Sequence, residues 1–298
     1  MSTPTEEKLV ARVAELEVEL KEREADLKRF RDELTKANSQ LESLVARLET
    51  ELKLAHAIQK ILVPTEFPHI AGFEFSTKFV PSLKTGGDYF DIFEHDDRLR
   101  FGIIVSSSSG HSMSALMLSV LLRMTGQIEA RRGSDPHEVM TEMLDQMHPH
   151  LGEGDSADIF YVLVDRRSFE MRYIKMGSVI ALHQSFLTGE VQALDSGLEP
   201  LQNSTKAPTA SKSVFLNPRD RVLICTRGIA EVRNAQGEYY GLERVTRSFL
   251  AGPKSGVHEL RNHLLYEAGQ FARAGEPLRD QTIVVLEVKD KVIKLAKS

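Results

Sequence analysis

The 298-residue chain has no tryptophan and a single cysteine, Cys225. One thiol closes no internal disulfide and builds no cysteine-based zinc cluster, so both of those scaffold classes are excluded. Long apolar runs are also missing. Stretches such as Phe101–Val105 fall far short of the roughly 20 residues that span a bilayer. The opening residues, Met-Ser-Thr-Pro-Thr-Glu-Glu-Lys, lack the apolar core of a secretory signal, so a cytoplasmic location is expected. Nor is there an excess of positive charge: 38 Lys and Arg against 43 Asp and Glu leave a net −5, which argues against nucleic acid as a partner. What is present, 41% hydrophobic and 27% charged, is the balance of a globular protein.

Glycine is absent from residues 1–62, which also hold one proline (Pro4), one aromatic (Phe30) and 24 charged residues. Such a composition favours an uninterrupted helix. Alternate steps of four and three give Leu9, Val13, Leu16, Leu20, Arg23, Leu27, Phe30, Leu34, Ala37, Leu41, Leu44, Leu48, Glu51, Ala55, Ile58 and Leu62. Fourteen of these 16 positions are apolar, which is the seam of a coiled coil sustained over many heptads. A narrow apolar stripe needs a partner helix, and a homodimer through residues 9–62 is expected. In a parallel pair Arg12 meets Glu17 and Asp26 meets Arg31, but Glu19 faces Glu24, so the flanking charges leave orientation open. A single helix lying on the downstream domain is the other reading.

From residue 63 the periodicity changes. Phe73–Val80, Tyr89–Glu94, Leu99–Val105, Ile159–Asp165, Phe169–Met176, Val179–Phe186, Val191–Leu194, Ser213–Leu216, Arg221–Thr226 and Gln281–Val288 read as strands. Ser112–Ala130, Pro136–His150, Gly241–Leu250 and Val257–Arg273 read as helices, the second opened by a Ser-Asp-Pro cap. Many antiparallel-looking strands with segregated helices predict an α+β fold, an antiparallel β-sandwich flanked by helix pairs, over residues 63–288. Residues 289–298 carry four lysines and read as a solvated basic tail; Cys225, in an apolar strand, reads as a buried filler.

Five segments together bring a family into view: Ala57–Pro64, Gly86-Gly87-Asp88-Tyr89-Phe90-Asp91, Gly110-His111-Ser112, Thr226–Gly241 and Arg279-Asp280-Gln281-Thr282. In order and spacing they resemble the SpoIIE/RsbU-type phosphatases, a bacterial branch of the metal-dependent serine/threonine protein phosphatases (PPM). The resemblance covers about residues 55–288 and implies two antiparallel sheets packed face to face with helix pairs outside. It also implies two dications held by aspartates, activating a water against a phosphoserine or phosphothreonine. Of the four metal aspartates that the family carries, Asp88 is kept. The others map onto Ser107, Arg227 and Arg279.

One carboxylate beside two guanidiniums sums to +1, which would repel an incoming dication. The expectation is a site with no metal and no other cofactor, in which Arg227 and Arg279 fork onto Asp88 and stand in for the lost ions. Water without a metal keeps a pKa near ~16 and is a poor nucleophile. Two routes back to a metal are Asp280 in a slipped register, and His111 or the His148/His150 pair as ligands for a softer ion. Ser108, Ser109, Gly110 and His111 form a strand-to-helix turn that, with the two arginines, is a candidate site for an anion or a partner; small polar filler is the plainer reading. The resemblance implies a catalytically inactive signalling domain that binds a regulatory protein, of the STAS type or a phosphoprotein. A weak phosphatase using Asp88, Asp91 and Asp280, and a structural role for the coil, are the alternatives.

Overall fold

The computed structural model describes residues 4–62, 64, 66–82, 87–109, 120, 134–254, 256–273 and 277–289. The chain divides into two compact units, Met1–Leu54 and Ala55–Ser298. The composition break near residue 62 therefore falls eight residues later than the boundary between units.

One continuous helix, α1, runs over Pro4–Leu62. At 1.5 Å per residue its 59 residues extend about 88 Å. Ion pairs one turn apart decorate it: Arg12–Glu15 at 2.9 Å, Arg23–Glu19 at 3.0 Å and Arg29–Asp26 at 2.9 Å. The seam residues Val13, Leu16, Leu20, Leu27, Phe30, Leu34, Leu41 and Leu44 are all exposed along the helix. The side chains of Leu9, Leu48 and Ile58 lie outside the described residues.

The second unit is a sandwich of two five-stranded antiparallel sheets. The first has the order β1 (Phe73–Val80), β10 (Gln281–Val288), β9 (Arg221–Cys225), β6 (Ile180–Gln184), β7 (Val191–Ala193). The second has the order β2 (Asp88–Glu94), β3 (Arg100–Ser109), β4 (Ser156–Asp165), β5 (Glu170–Met176), β8 (Lys212–Phe215). Strand residues alternate faces. Phe90, Ile92, Ile103, Val105, Phe160, Val162 and Val164 of one sheet meet Val222, Ile224, Val284 and Leu286 of the other in a shared core.

Both outer faces are also apolar and need cover. Helix α2 (Pro136–Met147) lies over the second sheet, with Val139, Met140, Met143 and Met147 against Ile104, Ile159 and Tyr161. Its start is the expected one: Asp135 caps it in a reciprocal box with Glu138, and Pro136 fills the first turn. Helices α3 (Gly241–Ala251) and α4 (Val257–Ala272) cover the first sheet through Val245, Phe249, Leu260 and Leu264. The expected helix Ser112–Ala130 lies, all but Val120, outside the described residues.

Candidate functional site

The site lies at one end of the sandwich, where strand register sets its first row. Asp88 on β2 pairs with Ser107 on β3, and Ser107 pairs with Asp158 on β4. These three side chains share the inner face with Phe90, Val105 and Phe160. Strand β3 runs on through Ser109, four residues past the expected Val105, because its serines keep pairing with β4 as far as Ser156.

Across from this row stand the ends of β9 and β10. Thr226 Oγ1 donates to Asp88 Oδ2 at 2.7 Å, and Thr282 Oγ1 donates to the same oxygen at 2.8 Å. The Ser107 hydroxyl is a third partner of this carboxylate. Asp88 is 4% exposed, and burial together with the nearby Asp280 charge pushes its pKa up to about 7, although the three hydroxyls pull the other way. Asp280 is also buried, and it serves the backbone: Oδ1 accepts from Ser82 N at 2.8 Å, and Oδ2 from Gly87 N at 3.0 Å and Asp88 N at 3.3 Å. It thereby anchors the chain entering β2. Gly228 is required beside it, since a Cβ there would overlap the Asp280 carbonyl.

The two arginines do not fork onto Asp88, which corrects the sequence expectation. Arg227 Nε stands 3.6 Å from Asp158 Oδ2 and 3.6 Å from Glu231 Oε1, and Arg279 Nε lies 2.6 Å from Glu231 Oε2. Asp158 Oδ1 in turn accepts from Ser178 N at 3.0 Å, over Gly177, whose φ of 73° and lack of Cβ leave room for the carboxylate. Burial raises the Asp158 pKa against the pull of that backbone donor and the two guanidiniums. The expected net +1 is also overturned, because Asp158, Glu231 and Asp280 join Asp88 against the two arginines. Hydroxyls hold the Asp88 carboxylate, backbone amides hold Asp280, and Arg279 holds Glu231, while Arg227 Nε, buried without a hydrogen bond, stands at ion-pair distance from Asp158 and Glu231; carboxylates committed to these partners do not fit a pair of dications.

The face rule sorts the remaining candidates. Ser108 pairs with Ala157 and Asp91 with Ile104, both on the outer face beneath the helix layer, so neither lines the cleft. Asp91 there accepts from Tyr89 Oη at 3.3 Å and Ile92 N at 2.8 Å, which removes it from the alternative Asp88–Asp91–Asp280 set. Ser109 is on the inner face and bonds to Ser156 at 2.5 Å. Gly110 and His111 lie outside the described residues. His148 and His150 form a short turn after α2, and no cluster of three metal-type ligands occurs among the described residues. Cys225 is fully buried and its pKa is pushed up to about 12 by burial, so it is a core residue and not a nucleophile.

Asp158, Glu231, Thr226 and Thr282 were not among the sequence-derived site residues. A signal for Asp158 existed: in β4 the even-numbered residues Phe160, Val162 and Val164 point inward, and a charged residue on that face is anomalous.

Two face-packed antiparallel sheets with outer helices and an aspartate-bearing cleft at one end define a PPM-type (PP2C) phosphatase fold. The chain belongs to the Stage II sporulation protein E (SpoIIE) family, whose model matches residues 97–289. It is similar to the phosphoserine phosphatase RsbP of Bacillus subtilis, 24% identical over 253 residues, which are 80% of this chain and 58% of that protein. The chain therefore spans little more than half of that curated relative. Among solved structures, the PP2C domain of SiaA from Pseudomonas aeruginosa superposes with a TM-score of 0.68 at 19% identity, covering 81% of this chain and 97% of that one. The RsbU and RsbW domains of a Mycobacterium tuberculosis protein superpose with a TM-score of 0.62 at 21% identity, covering 77% and 65%. No helix among the described residues is long and apolar enough to cross a membrane.

Proposed function

We propose that this SpoIIE-type domain is a pseudophosphatase: it binds a regulatory protein, of the STAS type or phosphorylated, and releases no phosphate from it. The observation that carries this reading is the ionic lock of the cleft, in which Arg227 and Arg279 are paired with Asp158 and Glu231. A guanidinium keeps its charge at any working pH, so a dication entering here competes with Arg227 and Arg279 for Asp158 and Glu231, the carboxylates they are paired with. Without a bound metal, a water in the cleft keeps a pKa near ~16 and is a poor nucleophile. RsbP is named a phosphoserine phosphatase, and one of the solved structures joins an RsbU domain to an RsbW domain, which supports a place in regulatory signalling. A cytoplasmic homodimer through residues 9–62 is the form we assign to it, with the exposed seam of α1 as the contact.

Phosphate release from an aryl phosphate and from a phosphoserine peptide in manganese buffer tests this. The natural chain is expected to release none, beside a Ser107→Asp/Arg227→Asp/Arg279→Asp variant as the reconstructed comparison. Manganese-dependent turnover by the natural chain that disappears in Asp88→Asn overturns the reading.

A further inference from the structure

A second polar site lies away from the cleft. Arg221 opens β9 and Thr226 follows its end, so about 17 Å of strand separates them. Around Arg221 the surface folds into a cavity of about 140 Å³ lined by Arg219, Arg221 and Lys254 together with Gln184, Ser185 and Phe186. Among the described residues three cationic side chains line it and no acidic one does.

Two of the three cations are held in place from beneath. The Arg221 side chain is 7% exposed; its Nε donates to Glu287 at 2.9 Å and its Nη1 to the Pro253 carbonyl at 2.5 Å. Its Nη2 is buried with no hydrogen-bond partner. A buried guanidinium N–H left unpaired is costly, and an acceptor on the cavity side removes that cost. Arg219 is held by its backbone. It adopts φ 69°, an uncommon conformation for a side chain of this size, with its N–H donating to Val288 O at 2.7 Å. Its guanidinium lies 3.9 Å from the centre of the Phe186 ring.

The neighbouring acids neutralise only part of the site. Asp220 is engaged by His183 at 3.0 Å, Phe186 N at 2.9 Å and Asn217 N at 2.8 Å. Glu287 is shared between Arg221 and Lys289. Asp220 keeps its negative charge, its pKa held, against burial, below the ordinary value by the His183 and backbone donors, so with Glu287 it leaves the three cations an excess of about one, and the unpaired Arg221 Nη2 asks for an oxyanion acceptor. A phosphate group carries about −1.5 to −2 near pH 7, presents tetrahedral acceptors to a guanidinium fork, and is small enough for this cavity.

We propose that the Arg219–Arg221–Lys254 cavity is a binding site for a phosphate-class oxyanion, separate from the cleft between the sheets. This inference is independent of whether the cleft hydrolyses anything. The test is calorimetry on the full chain with sodium phosphate, against sodium chloride at matched ionic strength. Saturable binding is expected for the natural chain and for Arg227→Gln/Arg279→Gln. It is expected to weaken at least about tenfold in Arg219→Gln/Lys254→Gln, whose replaced residues are exposed and leave the core intact. A parallel titration with phenyl phosphate distinguishes the sources: binding assigns a phosphomonoester ligand, and its absence beside phosphate binding assigns the free ion. No saturable binding, or binding lost in the cleft variant and kept in Arg219→Gln/Lys254→Gln, overturns the proposal.

Discussion

Thr282 on β10 donates its hydroxyl to the Asp88 carboxylate on β2 at 2.8 Å, a bond that ties one sheet of the sandwich to the other. Thr226 makes the same crossing to the same oxygen at 2.7 Å, and its own Oγ1 accepts from Thr282 N at 3.0 Å. The cleft end of the sandwich is thus closed by a buried hydroxyl–carboxylate cluster and flanked by an arginine–carboxylate lock. Each part makes separate demands.

The first concerns the charge on Asp88. Its pKa is raised to about 7 in the fold, against about 3.8 for an ordinary aspartate. The folded protein therefore holds a proton that the unfolded chain has released between these values. Stability from this residue is greatest below about pH 4 and is lost as pH rises through about 7. Asp88→Asn keeps an acceptor for Thr226 and Thr282 and removes the charge. It should be more stable than the natural chain at pH 8, by roughly 2–4 kcal/mol, with the gap closing toward pH 5. Paired thermal melts from pH 5 to 8.5 check this, and parallel curves at all pH values contradict it.

Removing one hydroxyl is the complementary change. Thr282→Val keeps the shape of a fully buried side chain but leaves Asp88 with one donor fewer. A loss of about 1–2 kcal/mol is expected in urea unfolding. The effect should be larger at pH 8, where Asp88 is ionised, than at pH 5.5. A pH-independent loss would assign it to packing alone.

How much of this was legible in the sequence depended on which force set the feature. Strands Phe73–Val80 and Gln281–Val288 appear with the expected ends because alternation and β-branched residues mark them. The end of β3 was misplaced because Ser106–Ser109 carry no hydrophobic signal, and only pairing with β4 shows them as strand. The partners of Arg227 and Arg279 differ from the sequence expectation for a similar reason. Long side chains reach whichever carboxylate the fold brings near, and Asp158 and Glu231 arrive from other segments. Asp88 itself is legible through its motif, but its threonine partners come from late in the chain, one just past β9 and one on β10.

The turn after β9 makes a steric demand. Gly228 has no room for a Cβ against the Asp280 carbonyl, and the obstacle is backbone, not a side chain that can rotate. Gly228→Ala must displace the Arg279–Asp280 segment, which also carries the anchor of the β2 entry. A loss of about 3 kcal/mol or more, seen as a lowered midpoint in denaturant, is expected. Gly189→Ala, where nothing stands within 4 Å but φ is 74°, should cost only about 1 kcal/mol. Equal losses at the two sites would show that backbone conformation, and not overlap, governs the turn.

The exposed stripe on α1 makes the last demand. Leu27 is 69% exposed and Leu34 60%, seven residues apart on one seam, and an isolated helix gains nothing from displaying them. In a paired coil both are buried, each truncation or charge removing a packing layer. Leu27→Glu/Leu34→Glu should convert the full chain from dimer to monomer, read as a halving of mass by light scattering on a sizing column. The strand signal in circular dichroism should persist, because the two-sheet unit has its own core. A natural chain that is monomeric at every concentration would remove the homodimer from the assignment. A variant that stays dimeric would move the contact off this seam.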